Sequence, residues 1–171
     1  MKKDVAEFVS RCLVCQQVKA EQKKPSGLLH PLEVPQWKWE SVSMDFVDGL
    51  LRSRKGNMGI WVVVDRLTKS AHFIPVKSKR TATWLASVYL REIVRLHGIP
   101  SSIVSDRNPI FFSEFWKSLQ KAVGTQLCLS TTYQPQTDDQ TKRVNQILED
   151  LLRLRILDFG GTWEEKLPLV E

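Results

Sequence analysis

Residues 60–64 read Ile-Trp-Val-Val-Val, an unbroken run of β-favouring side chains that a strand with one wet face cannot bury. The run suits a central strand covered on both faces, and its neighbours must supply the sheet and the layers. Upstream, Val42, Met44 and Phe46 alternate with Ser43, Asp45 and Val47, so Asp45 points away from the first apolar set. Downstream, residues 65–69 turn into a third run at 71–76, and the three runs suggest an antiparallel meander.

Helical spacing then takes over. Leu85, Val88, Tyr89, Ile93 and Leu96 recur at helical intervals, with Gly98 and Pro100 as a stop. Ile103 and Val104 form a short strand that delivers Asp106 at its C-terminal end. Ser113 and Glu114 start a helix carrying Phe115, Trp116, Leu119 and Val123, which Gly124 stops, and residues 126–129 are a last short strand. A long helix follows with the stripe Val144, Ile147, Leu148, Leu151 and Leu154, which puts position 142 roughly opposite, among Gln146, Glu149 and Arg153.

This order predicts an α/β fold: a mixed five-stranded sheet flanked by helices. A short helical segment with Val5, Phe8, Val9 and Cys12 on one face precedes it. Pro25, Gly27, Pro31 and Pro35 mark a linker, with Trp37 and Trp39 expected to pin the start of the main domain. The expected division is 1–17, a linker at 18–36, and a core at 37–171.

With 171 residues, 42% hydrophobic and 26% charged, the chain can bury a core, and disorder is not expected. No apolar run reaches the length of a membrane span, and the N-terminus lacks the apolar segment of a signal peptide, so an intracellular protein is expected. Three cysteines, an odd number, argue for thiols rather than a disulfide framework, with Cys128 a small buried hydrophobe. The formal charge of +6 favours a polyanionic partner, and positive residues cluster at 23–24, 52–55 and 77–80. Those clusters fit phosphate contacts or solvated loops equally well.

Asp45 and Asp106 fall at the ends of the first and fourth strand-like runs, where neighbouring strands would hold them side by side. Paired carboxylates of this kind suit two divalent cations roughly 3.5 to 4 Å apart, which activate an attacking oxygen and stabilise a leaving one. Residues 42–47 (VSMDFV), 60–69 (IWVVVDRLTK), 91–109 (REIVRLHGIPSSIVSDRNP) and 135–145 (PQTDDQTKRVN) closely resemble the integrase region of Ty3/gypsy-type long-terminal-repeat retrotransposon polyproteins. The resemblance covers nearly the whole chain and keeps the thirty-five residues between Asp106 and position 142. It implies an RNase H-like catalytic core in which two Asp and one Glu hold Mg²⁺ or Mn²⁺ for end processing and strand transfer into DNA.

Carried over by position, Asp45 and Asp106 match the family's two aspartates, and Lys142 stands where the family has Glu. Gln134, Asp139 and Asn108 also depart from the usual His, Gly and Asp. The three side chains would sum to −3 in the family and sum to −1 here, and an ammonium beside two carboxylates competes with metal for them. Asp139 lies about one helical turn, roughly 4.5 to 5 Å, from position 142, too far for unchanged geometry. Loss of integrase chemistry is therefore expected.

Cys12 and Cys15 have the spacing of half a zinc site, which the family completes with two upstream histidines; the eleven residues before Cys12 contain none. The chain is thus expected to begin inside a zinc-binding domain with an incomplete Zn²⁺ site, to which His30 would add too little. His72 and His97 are expected to be structural, and Asp65 and Asp48 to be turn residues. Lys142 and Arg143, with Tyr133 and Gln136 in the loop before the last helix, are candidates for gripping DNA phosphates. A solvated helix face accounts for the lysine and arginine equally well. The resemblance further implies a DNA partner, multimers and a nuclear site of action. Two alternatives to an inactive integrase stay open: a nucleic-acid-binding or self-associating module that needs no metal, and a retroelement fragment without function.

Overall fold

The computed structural model describes residues 1–18, 34–105, 108–111, 113–129 and 139–170. Three antiparallel strands form first: β1 (Ser41–Val47), β2 (Gly59–Asp65) and β3 (Ala71–Val76), with Val47 opposite Ile60 and Val63 opposite His72. Helix α3 (Ala82–Tyr89) runs through a π-helical turn, Leu90–Val94, into α4 (Arg95–His97). The chain then enters β4 (Ser102–Ser105), α5 (Glu114–Val123) and β5 (Gln126–Leu129), and β1, β4 and β5 run parallel. The strand order is β3-β2-β1-β4-β5, a mixed five-stranded sheet. A long helix, α6 (Asp139–Phe159), and a short one, α7 (Trp163–Lys166), follow; two N-terminal helices, α1 (Lys2–Arg11) and α2 (Leu13–Val18), precede the sheet.

Every residue of β2 is buried, as its unbroken apolar run requires. Its side chains feed both faces. Trp61 and Val63 join Met44, Tyr89, Ile93, Phe111 and Trp116 under α3 and α5, while Ile60, Val62 and Val64 meet Leu148, Leu152, Trp163 and Leu167 of the opposite layer. Each large apolar side chain withdrawn fully from water contributes roughly 1.5–3 kcal/mol, so this two-sided strand anchors both cores. Asp45, one pleat before Val47, lies on the face that α6 covers.

The helix boundaries follow their local chemistry. The Thr81 side chain accepts from the Trp84 amide, and the Ser113 side chain from the Trp116 amide, each satisfying a donor of the first turn. Gly124, at φ 76°, ends α5 in the left-handed region. At the N-terminus, Cys12 adopts an extended conformation that separates α1 from the second short helix, α2.

Four expectations change. Trp37 is 75% exposed and pins nothing, whereas Trp39 stacks on His97 with ring centroids 3.8 Å apart. In α6 the buried positions are Asn145, Leu148 and Leu152, while Ile147 and Leu151 are 46% and 39% exposed. The buried face is thus rotated from the purely apolar stripe, because Asn145 has a polar partner on the sheet and occupies an interior position. Position 142 accordingly flanks the buried face, at roughly 90° to its centre, and is not opposite it. Leu96, counted on the buried face of its helix, is 52% exposed, because the π-helical turn ahead of it shifts the helical phase.

Candidate active site

Asp45 is half-buried on β1, paired with Val62 of β2. One carboxylate oxygen accepts the Phe46 amide at 2.8 Å, and the other accepts Asn145 Nδ2 of α6 at 2.7 Å. The second bond joins residues 100 apart in sequence and fixes the long helix against the strand that carries the carboxylate. A charge-assisted hydrogen bond of this kind contributes about 1.5–3 kcal/mol. Asn145 is buried, and its Oδ1 has no hydrogen-bond partner among the described residues. Lys142 and Arg143 are exposed on the same helix. Lys142 precedes Asn145 by three residues, about 4.5 Å along the axis and roughly 60° around it.

Asn145 has no role in the sequence-based expectations, although it closes the 135–145 motif. The available signal was a polar residue between Val144 and Leu148, at the angle the helix buries. On the other side of the site, β4 pairs with β1 as far as Met44 opposite Ser105. Asp106, the next residue in sequence, lies outside the described residues, as do Tyr133, Gln136 and His30. Among the described residues no three His, Cys, Asp or Glu side chains gather as a metal cluster.

The remaining candidates divide by their partners. Cys12 and Cys15 are half-buried thiols at the α1–α2 junction, and Cys128 is a half-buried thiol on β5 rather than a fully buried one. Asp65 closes its turn as expected. It accepts the Trp39 and Leu67 amides at 3.1 and 3.2 Å, and the Thr68 amide and hydroxyl at 3.1 and 2.5 Å. Burial alone would raise its pKa, but these donors outweigh it and hold the carboxyl below its ordinary value. Asp48 receives a two-pronged bond from Arg80 at 2.8 and 2.7 Å, and the guanidinium lies 4.0 Å from the centre of the Phe46 ring. Arg80 therefore braces the end of β1, and it leaves the cluster of loop charges at 77–80.

The 52–55 loop is tied to α7. Trp163 Nε1 donates to the Leu51 carbonyl at 2.6 Å, Lys55 lies 3.4 Å from Glu164, and Arg54 lies 3.7 Å from Glu165. His72 and His97 share a bond between their Nε2 atoms at 2.8 Å. Burial, followed by the neighbouring His72, pulls the His97 pKa down, with Asp65 opposing.

No family model matches the chain. Solved structures define its class. The simian T-cell lymphotropic virus intasome, solved with the PP2A regulatory subunit B56 gamma, contains a chain that superposes with a TM-score of 0.67 at 18% identity, covering 99% of this chain and 59% of that one. The HTLV-2 integrase catalytic core in complex with magnesium gives 0.62 at 18% identity over 79% of this chain and 84% of that one. The BIV integrase catalytic core gives 0.59 at 22% identity over 77% and 80%. The fold is the RNase H-like fold of retroviral integrase catalytic cores.

The sequence narrows this further. Transposon Tf2-3 and Tf2-4 polyproteins of Schizosaccharomyces pombe are each 36% identical over all 171 residues, and the chain spans 13% of their length. The chain is an integrase-like domain of the kind carried by LTR-retrotransposon polyproteins. No helix among the described residues is long and apolar enough to cross a membrane.

Proposed function

We propose that this chain is an integrase core that has lost metal-dependent strand transfer, because position 142 holds a lysine. The carrying observation is the 2.7 Å bond from Asn145 to Asp45, which docks α6 beside the carboxylate, with Lys142 one turn away. Among the described residues, that place holds a carboxylate already accepting an amide and a neutral asparagine, and the family's third carboxylate is replaced by the lysine. Two hard divalent ions need several carboxylate oxygens, and this set does not fit them. In an intact site those ions would activate the attacking oxygen of phosphoryl transfer. Here a lysine at position 142 brings positive charge where the family carries a metal-holding carboxylate.

The test is the Lys142→Glu reversal, followed by calorimetric titration with Mg²⁺ and Mn²⁺. The reversal gains saturable binding that the native chain lacks. Metal-dependent strand transfer by the native chain on an element-end duplex overturns the proposal.

A second role is compatible with the first. Lys142 and Arg143 are exposed on α6, and the chain carries +6 overall, which supports metal-independent binding of DNA. Its affinity for duplex DNA then falls steeply as salt rises, and binding insensitive to salt excludes a phosphate interface.

A further inference from the structure

At the end of β1 remote from Asp45, Ser41, Ser102 and Gln126 line up across three parallel strands, Ser41 opposite Ser102 and Ser102 opposite Gln126. Together with Glu40, Arg66 and Cys128 they line an open cavity of about 620 Å³. Ser41 and Asp45 are four residues apart, roughly 13 Å along a strand, so this cavity is separate from the candidate active site.

We infer that the cavity is a binding site for a phosphate-type oxyanion. Arg66 is the donor-only side chain of its lining, and the serine hydroxyls and glutamine amides around it can donate as well as accept. Arg66 Nη1 donates to Ser41 Oγ at 3.1 Å, and the Ser102 hydroxyl bonds the same oxygen at 2.7 Å. A guanidinium carries five N–H protons and each hydroxyl one, so most of the protons of this trio find no acceptor among the described residues. Both hydroxyls meet at one oxygen, and a single leftover hydroxyl proton needs an outside acceptor whichever way the pair is oriented.

The electrostatics agree. Arg66 is half-buried and makes no ion pair among the described residues, and burial pulls its pKa below the ordinary arginine value, with only Cys128 opposing. The one carboxylate in the lining, Glu40, accepts the Gln36 and Trp37 amides on its Oε2 at 2.8 and 3.0 Å, which spreads part of its charge onto the backbone. A partly desolvated cation with surplus donors is stabilised by an acceptor-only anion, and a guanidinium fork matches two oxygens of a phosphate. The volume lies in the range of small-molecule sites, so a phosphate carried on a larger group also fits.

The experiment is an NMR titration of the ¹⁵N-labelled chain with inorganic phosphate at constant ionic strength and excess chelator. The Arg66 Nε–H signal and the Ser41, Ser102 and Gln126 amides shift saturably, and Arg66→Met weakens the apparent affinity about tenfold or more. A second titration uses a short DNA duplex. The same signals moving at lower concentration identifies nucleic-acid phosphate as the source, whereas preference for inorganic phosphate identifies a free anion. Should Arg66→Met fail to fold, Gln126→Ala, at an exposed position, carries the comparison and weakens binding without disturbing distant signals. Shifts that do not saturate with either probe, or equal affinity in the variants, overturn the inference.

Discussion

Replacing Asn145 by Asp keeps the side chain's size and turns the donor that holds Asp45 into a second carboxylate, at a contact that is 2.7 Å in the native chain. Two carboxylates relaxed to about 4 Å repel by about 4 kcal/mol at an effective dielectric constant of 20. The pair has an escape: one carboxyl takes a proton, and its O–H restores the lost bond. The cost is then capped at about 1.36 kcal/mol for each pH unit above the ordinary aspartate value of about 3.9. That cap is about 4 kcal/mol at pH 7 and about 1.5 kcal/mol at pH 5.

The sign follows from linkage. One carboxyl of the variant has a folded-state pKa above its unfolded value, so stability is intact below the unfolded pKa and is lost as pH rises through the folded one. For a chain of this length the melting temperature falls by about 8–16 °C at pH 7 and by about a third of that at pH 5. Thermal denaturation followed by circular dichroism at both pH values reads the difference. A variant as stable as the native chain at pH 7, or equally destabilised at both, refutes the docking of α6 through Asp45.

Three further outcomes are expected. Asp65→Asn puts an NH₂ group against donors that the carboxylate accepts, and costs about 3 kcal/mol in urea denaturation at pH 7. Because the native Asp65 pKa is lowered, its contribution is present above about pH 4 and fades as pH falls through the folded value, so the variant's deficit shrinks in acid. The lowered His97 pKa makes the unfolded chain bind the proton more readily, so native stability declines as pH falls below about 6.5; His97→Gln flattens that slope in thermal melts between pH 5 and 7. Gly59→Ala places a Cβ 2.6 Å from Asp48 Oδ1 and 2.9 Å from the Val47 carbonyl, and is expected to lower stability by about 1–3 kcal/mol by chemical denaturation.

The sheet and its layers were legible because they rest on periodicity. An unbroken apolar run must be central, alternation sorts the side chains of β1 between the two faces of the sheet, and hydroxyl caps with terminal glycines mark where helices begin and end. The faces of α6 were less legible. Five apolar residues suggested one stripe, yet Ile147 and Leu151 stay half-exposed while Asn145 goes inside. Apolarity ranks which residues prefer burial, but a polar residue with a charged partner can displace them, and that partner sits 100 positions away. Arg80 shows the same limit: as sequence it is one more loop charge, and only the fold places it between Asp48 and Phe46.

By itself, the sequence determined the strand order's raw material, the integrase-like lineage and the lysine at position 142, since these depend on residue identity and spacing along the chain. Tertiary structure decided which carboxylates are occupied, that Asn145 clamps Asp45, and that Arg66 is left half-buried among surplus donors. These are pairings between residues distant in sequence, whose energies depend on separation and burial, and neither quantity exists until the sheet brings the segments together.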